Sequence, residues 1–333
     1  MKKSQVLTVH DIAKLANVSA MTVSRALNTP ELLAPGTLAR VQEVVRQTGF
    51  VPNGMAGSLR SSRARLVAAV LPTLVGPVFQ ETVRALSQAL DERGYQLMIG
   101  QSGYETSRED ALLDALIRRR PDGIVITGIM HSSEGRRQLI NAGIPVVETW
   151  DLTPTPIDML VGFSHERIGE AVCAFLHGKG YRNPALIVAS DPRATRRGEG
   201  FTRTAATLGF GNGVPVIVSP APTNVAAGRA GLRQLLARHP SVDAVFCSSD
   251  MLAVGVLIEA NKLGLPVPDR MAVVGFADID IAAQVEPALT SVRIDGTRIG
   301  TLAAQLLVDR TEGRTPPDLI IDVGFEIIER ASA

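Results

Sequence analysis

From residue 66 onward, short apolar runs bounded by glycine or proline alternate with amphipathic stretches of helical period. The runs read "RLVAAVLP", "YQLMIGQS", "DGIVITG", "IPVVETW", "PALIVAS", "VPVIVSP", "DAVFCSSD" and "MAVVGFAD", and helices are expected between them, as at 80–92 and 106–119. A strand that is apolar on both faces must be covered on both faces, and helices returning between strands make the sheet parallel. Eight such runs exceed one sheet of modest size, so the pattern predicts an α/β core of two lobes, each a doubly wound parallel sheet. In open sheets of this kind ligands bind beyond the carboxyl ends of the strands. The residues just after "VLP", "IGQ", "ITG", "VETW", "CSSD" and "GFAD" are therefore candidate pocket residues.

The first fifty residues follow a different rule. Thr8 and Asp11 have the spacing of a capping box, and Ile12, Leu15 and Ala16 supply an apolar face behind it. Asn17 breaks that helix, and Ser19 can cap a second one with Val23 and Leu27 pointing inward. Pro35 opens a third helix carrying Leu38, Val41 and Val45 on one face, and Gly49 closes it. Two helices joined by a tight turn, the second presenting Ala20, Met21, Thr22, Ser24, Arg25 and Asn28, have helix-turn-helix form. The hydroxyls of Thr22 and Ser24 and the guanidinium of Arg25 suit phosphate oxygens and guanine acceptors. Thr8 and Ser19, at the helix starts, join the same expected DNA-binding set.

Charge distribution agrees with that assignment where the total is silent. The whole chain nets +1, but residues 1–65 carry nine Lys/Arg against three Asp/Glu, and the remainder 25 against 30. A basic head on a mildly acidic body is the asymmetry of a nucleic-acid-binding segment. Between the two lies "VPNGMAGSLRSSRAR", residues 51–65, with the composition of a linker. A short helix starting at Asn53 would hold Gly54 and Gly57, each costing about 1 kcal/mol relative to alanine, and should be frayed alone in water.

Other function classes find little support. Cys173 and Cys247 sit in "AVCAFL" and "AVFCSSD", as small core residues of a reducing compartment, and no spacing suggests a zinc site. The start "MKKSQVLTVHDIAK" lacks the apolar core of a signal peptide, and no apolar run approaches the ~18 residues of a membrane span. "GFGNG" at 209–213 lacks the strand and the spacing of a dinucleotide loop, and P-loop, H-E-x-x-H and G-x-S-x-G motifs are missing. A cytoplasmic protein that is not an enzyme and needs no cofactor or metal is expected.

"TVHDIAKLANVSAMTVSRALN", "GFVPNGMAGSLR", "GIPVV", "VGFSHERIGE", "RRGEGF", "AVFCSSDMLAVG" and "MAVVGFADID…PALTSVR" resemble, in order along the whole chain, the lactose/galactose-repressor (LacI/GalR) family of bacterial transcription regulators. Within it the chain looks most similar to the gluconate-operon repressor branch. The resemblance implies a helix-turn-helix DNA-binding head at 1–50, a hinge helix at 51–65, and an effector-binding and dimerisation core at 66–333 like that of periplasmic sugar-binding proteins. The N-lobe is expected at about 66–163 and 292–320 and the C-lobe at about 164–290 and 321–333, with crossings near 163–164, 289–292 and 319–321. Leu59 matches the family position that wedges into the minor groove, with Ala56 beside its symmetry mate and Asn53 among the DNA contacts. Gly54 and Gly57 depart from the bulkier residues common there, so ordering of this hinge should depend especially on DNA.

In the core, Arg197 of "RRGEGF" matches the family arginine that reaches the effector, with Arg196 as the competing register. A guanidinium offers a planar donor fork for hydroxyls or a carboxylate. Phe79 and Phe163 match aromatic positions lining the cleft. Ser249 and Asp250 follow a strand end, and Asp250 either caps the following helix or holds the pocket. Many relatives place an aspartate two residues after the glycine of "VVGYDD"; here Phe276 is followed by Ala277 and only then Asp278. Loss of a carboxylate at that point tilts the effector toward a sugar acid such as gluconate. The branch resemblance adds Thr127, Glu148 and Trp150 to the cleft, Glu148 as an acceptor for hydroxyls, and His131 as either a pocket donor or a surface residue. The expected protein is a repressor on double-stranded, pseudo-palindromic operator DNA, released when a small-molecule effector fills the cleft. The given sequence closes on "GFEIIERASA" with no heptad tail, from which a homodimer is expected over a tetramer.

Overall fold

The computed structural model describes residues 7–51, 64–130, 132–210 and 213–333, and the chain divides into two compact units, 1–64 and 65–333. The first unit holds α1 (Val9–Leu15), α2 (Ala20–Asn28), a single 3₁₀ turn at Pro30–Leu32, and α3 (Pro35–Thr48). Both halves of the Thr8–Asp11 capping box form, with the Thr8 amide 2.9 Å from the Asp11 carboxylate. Asn17 turns the chain at φ 51°, the Ser19 hydroxyl accepts from the Thr22 amide at 3.1 Å, and Gly49 ends α3 at φ 62°. Ile12, Ala13, Ala16, Val23, Val41 and Phe50 make the small core. Leu15, expected on the inner face, is 59% exposed. Successive helical residues turn by ~100°, so a face holding positions 12, 13 and 16 leaves 15 well outside its arc.

The second unit contains two six-stranded sheets. The first is formed by β1 (Leu66–Leu71), β2 (Gln96–Gln101), β3 (Gly123–Thr127), β4 (Val146–Thr149), β5 (Met159–Gly162) and β11 (Ile320–Asp322). The second is formed by β6 (Pro184–Ala189), β7 (Val216–Ser219), β8 (Ala244–Cys247), β9 (Ala272–Ala277), β10 (Thr290–Arg293) and β12 (Glu326–Ile328). Their orders are β2-β1-β3-β4-β5-β11 and β7-β6-β8-β9-β10-β12, all parallel except the antiparallel pair β10–β12. Each is the same doubly wound order, reversing direction between β1 and β3 and between β6 and β8. The apolar runs are strands for the reason the pattern suggested: every residue of β4, β5, β6, β8 and β9 is buried.

Helices cover both faces of each sheet: α4 (Gln80–Asp91), α5 (Thr106–Ile117), α6 (Ser133–Ala142) and α11 (Gly296–Thr311) for the first lobe, and α7 (His165–Gly178), α8 (Pro192–Thr207), α9 (Val225–Arg238) and α10 (Asp250–Lys262) for the second. The chain passes between lobes at 163–164, at 294–295 and at 323–325. The last two differ from the expected 289–292 and 319–321. β10 stays hydrogen-bonded in the second sheet as far as Arg293, and β11 continues the first sheet through Asp322.

Among the described residues, three helix pairs touch backbone to backbone through glycine. A Cβ on Gly169 of α7 would lie 2.0 Å from the Arg197 carbonyl oxygen of α8, and one on Gly200 would lie 2.3 Å from the Glu166 carbonyl. Gly300 of α11 meets Thr82 of α4 in the same way, as do Gly228 and Gly255 between α9 and α10. Gly169→Ala is therefore expected to destabilise the core by about 2–3 kcal/mol through overpacking, in urea or thermal unfolding. Gly178→Ala, on the same helix with open space around it, should be neutral or stabilising by up to ~1 kcal/mol. Equal melting temperatures for the two variants would contradict the close helix contact.

Candidate DNA-binding head and effector cleft

On the head, Met21 is 46% exposed, Arg25 is exposed, and Ala20, Thr22 and Ser24 are half-buried along α2. Thr8 and Ser19 act first as helix caps. The Thr8 hydroxyl donates to Asp11 at 2.6 Å, and the Ser19 and Thr22 hydroxyls share a bond of 2.9 Å. Asn53, Ala56 and Leu59, with Gly54 and Gly57, lie outside the described residues, as do His131 and the side chain of Asn28.

In the core, the loops after β1, β2, β4, β6, β7, β8 and β9 converge on one cleft between the lobes. This is the carboxyl edge of both sheets, where each strand order reverses. Its free volume is about 80 Å³. The helices that follow these strands begin here too, so the amino-terminal turns of α7, α8 and α10 bring His165, Arg193 and Met251 to the wall. Helix amino termini carry unpaired N–H groups and partial positive charge.

Arg197 occupies the centre. It is 4% exposed, and its guanidinium lies 3.8 Å from the centroid of the Phe276 ring. One terminal nitrogen donates to His165 Nδ1 at 2.8 Å and the other to the Ser248 carbonyl at 2.9 Å, leaving Nε buried without a partner. His165 Nε2 lies 3.0 Å from the Trp150 carbonyl, which can only accept, so the imidazole is the neutral Nε2–H tautomer with Nδ1 free to accept. Burial, with Arg197 beside it, holds His165 well below its ordinary pKa. Burial also draws Arg197 down to about 10, which leaves it charged at neutral pH.

Arg193, one helical turn earlier on α8, reaches across the cleft, with its guanidinium 5.5 Å from the centroid of Phe79 in the first lobe. Its Nη1 is buried without a partner, and its Nε stands 3.7 Å from Asp191. Asp191 caps α8, accepting from the Arg193 and Ala194 amides at 3.1 Å each.

The aromatic wall is held in a costly conformation. Trp150 has φ 61°, a region bulky residues avoid. Its indole N–H donates to the Thr82 hydroxyl at 3.0 Å, and its ring meets Phe79 and Phe163 edge-on at 5.0 and 5.7 Å. Ala277 and Asp278 also have positive φ, 103° and 52°. The strained turn is tied down by Asp250, which accepts from the Ser291 hydroxyl at 2.6 Å and the Ile279 amide at 2.8 Å; the Ser291 oxygen in turn accepts from the Asp278 amide at 3.1 Å. Gly275 has no Cβ because one would lie 2.1 Å from the Asp250 carboxylate. Backbone strain of this kind, at order 1–3 kcal/mol per residue, clusters at ligand sites.

Of the expected effector residues, Phe79, Trp150, Arg197, Ser249 and Phe276 line the cleft. Arg196, the competing register, instead pairs with Asp151 at 2.8 Å. Four of the expected residues are placed elsewhere. Glu148 is fully buried, accepting from the Met130 and Ile157 amides at 2.9 and 2.8 Å, and joins two loops beneath the cleft. Thr127 ends β3 beside Thr149, off the wall. Phe163 backs Trp150 and His165 from inside the core. Asp250 does not cap α10, since Ser249 accepts from the Leu252 amide and takes that role. Tyr104, just after "IGQ", lines the cleft as the strand-end rule implies, while Arg193, His165, Asp191 and Thr223 line it without being among the named candidates. The strand-end rule, extended to "PALIVAS" and "VPVIVSP", reaches Asp191, Arg193 and Thr223.

A helix-turn-helix unit and a two-lobed core with a small polar cleft, in one chain, make the plan of a ligand-responsive transcriptional regulator. Residues 8–53 match "Bacterial regulatory proteins, lacI family" and residues 173–333 match "Periplasmic binding protein-like domain". The HTH-type transcriptional regulator GntR of Pseudomonas aeruginosa is 36% identical over 326 residues, 98% of this chain and 95% of that protein. A LacI-family transcriptional regulator from Silicibacter pomeroyi superposes with a TM-score of 0.91 at 31% identity, over 98% of this chain and 99% of that one. Transcription regulator GntR from Chromobacterium violaceum gives 0.77 at 35% identity, over 80% and 98%. The chain belongs to the LacI family of bacterial transcriptional regulators. Among the described residues no helix is long and apolar enough to cross a membrane.

The buried carboxyl of Asp250 yields a pH prediction. Desolvation raises its pKa from 3.8 to about 6. A carboxyl whose folded pKa is raised favours folding while protonated and loses that contribution as pH rises through about 6. Asp250→Asn should therefore be more stable than the parent at pH 8, with the advantage shrinking as pH falls through 6. Thermal melts at pH 5 and 8 check this; an advantage that grows at pH 5 would contradict it.

Proposed function

We propose that the protein is a repressor of a sugar-acid catabolic operon whose effector is an anion bound in the interlobe cleft. The observation that carries this reading is electrostatic. Two guanidiniums, Arg193 and Arg197, line the cleft from the first two turns of α8, and the lining carboxylate beside them, Asp191, is already engaged by backbone amides. Helix amino termini with arginine beside them favour anions. The chain's similarity to two GntR regulators supports the same reading.

In this reading a homodimer engages a pseudo-palindromic operator through paired α2 helices, and the paired linkers insert Leu59 into the minor groove. Effector binding alters the lobe arrangement, the linker helices separate, and operator affinity falls. An effector acts this way only by binding the DNA-incompetent form better, and operator must weaken effector binding by the same factor.

A gel shift on the chain's own upstream region should show sequence-specific retention that weakens steeply with salt and is released by gluconate. Arg197→Ala should keep operator binding and lose the release, whereas Leu59→Ala should weaken specific binding more than non-specific binding. Release by neutral sugars alone would remove the sugar-acid reading, and absence of specific retention would remove the repressor.

A further inference from the structure

We infer that the ion pair between Asp151 and Arg196 is a strut between the two lobes that sets their resting arrangement, and with it the operator affinity in the absence of effector. Asp151 belongs to the first lobe, in the loop after β4, and Arg196 to α8 of the second, with Nη1 2.8 Å from Oδ1. The pair lies outside the cleft wall, but each partner is the chain neighbour of a cleft residue, Asp151 of Trp150 and Arg196 of Arg197.

Both ends are rigidly mounted. A Cβ on Gly162, the last residue of β5, would lie 1.8 Å from the Asp151 carbonyl oxygen, and Asp151 Oδ1 also accepts from the Leu152 amide at 2.9 Å. Arg196 stands on α8, which is locked to α7 by the close contacts at Gly169 and Gly200. Gly162 precedes the crossing at 163–164 and pairs in register with Asp322, which precedes the crossing at 323–325. Asp322 makes a second ion pair between the lobes, with Arg167 of α7 at 3.2 Å, but that arginine is 65% exposed and the pair contributes little. The Asp151 side chain is 3% exposed, so its charge depends on Arg196, and a buried carboxylate stripped of its partner is costly. A hydrogen-bonded pair at 2.8 Å is lost after a displacement of about 1 Å, so it admits a narrow range of lobe angles. With the pair made, the free volume of the cleft is about 80 Å³, below the roughly 300–1,000 Å³ of small-molecule sites. Filling the cleft therefore parts the lobes against the strut. The sign of the effect on DNA rests on the release mechanism proposed above: the strut favours the operator-binding arrangement, and its loss weakens operator binding.

Distances from pulsed electron paramagnetic resonance on the full chain test this. Spin labels on Ser107→Cys of α5 and Ala226→Cys of α9, both exposed, report cleft opening, because these helices follow β2 and β7 at its mouth. Cys173 and Cys247 are fully buried and stay unlabelled. Dilution with unlabelled chain keeps each distance within one chain. Arg196→Gln and Asp151→Asn should add a second, longer distance to the parental one and weaken operator retention on the order of five- to tenfold. Asp151→Asn leaves no buried charge behind, which separates loss of the strut from loss of the fold. Arg196→Lys should recover part of both effects, and Arg203→Gln, which breaks exposed ion pairs within the second lobe, should change neither. Parental distances in Asp151→Asn, or an equal change in Arg203→Gln, overturn the inference and leave the repressor reading standing, as do altered distances with unweakened operator retention. A parent without sequence-specific retention removes the repressor reading and the operator half of this inference, while the distances still decide the strut.

Discussion

Helices α7 and α8 approach so closely that the Arg197 carbonyl fills the place where Gly169 would carry a side chain. Four residues before Gly169 on the same helix, His165 accepts a hydrogen bond from the Arg197 guanidinium. The backbone and the tip of one arginine are thus fixed by one helix pair. A Cβ at the crossing would push α8 outward and move Arg197 away from His165, Ser248 and the Phe276 ring together. Packing and the placement of Arg197 at the cleft share the same few contacts here.

That arrangement explains how a buried cation is tolerated. Removing a guanidinium from water is costly unless its donors are met and its charge is offset. At Arg197 a neutral imidazole and a carbonyl meet two donors, an aromatic face lies under the plane, and the amide-capping Asp191 is close enough to favour the charge. The neutral tautomer of His165 is essential to this, because a protonated ring would turn its acceptor into a second cation. The strained Trp150 is drawn into the same network, since its carbonyl fixes that tautomer.

Much of this was legible in the sequence, and what was not has identifiable causes. Apolar runs and strand-end positions marked both sheets and the cleft, because strand burial on two faces is written in composition. The capping box at Thr8 and the turn at Asn17 are local, and local chemistry reads directly. Arg197 against Arg196 is a choice of helix face that one-dimensional text leaves open; in the fold Arg197 lies over Phe276 in the cleft and Arg196 pairs with Asp151. Glu148 is a pocket candidate through the branch resemblance and Asp250 through its place after a strand. Which way a carboxylate turns depends on loop amides contributed by Met130, Ile157 and Ile279, far away in sequence. His165 is silent in the sequence because its place depends on two partners distant along the chain, Trp150 and Arg197.

The acids around the cleft make one further point about how its charge arises. Glu148, Asp151, Asp250 and Asp278 all lie close by, and none of them lines it. Glu148 is held by two backbone amides and Asp151 by Arg196. Asp250 is turned to Ser291 and Ile279. Asp278 is turned by its left-handed backbone to Arg293 and Arg330, at 2.7 and 2.6 Å. A cleft can be made positive by adding cations or by giving every nearby anion a better partner than the ligand. This chain does the second as much as the first. Asp278 is the clearest case, for two arginines outside the cleft wall take up its carboxylate.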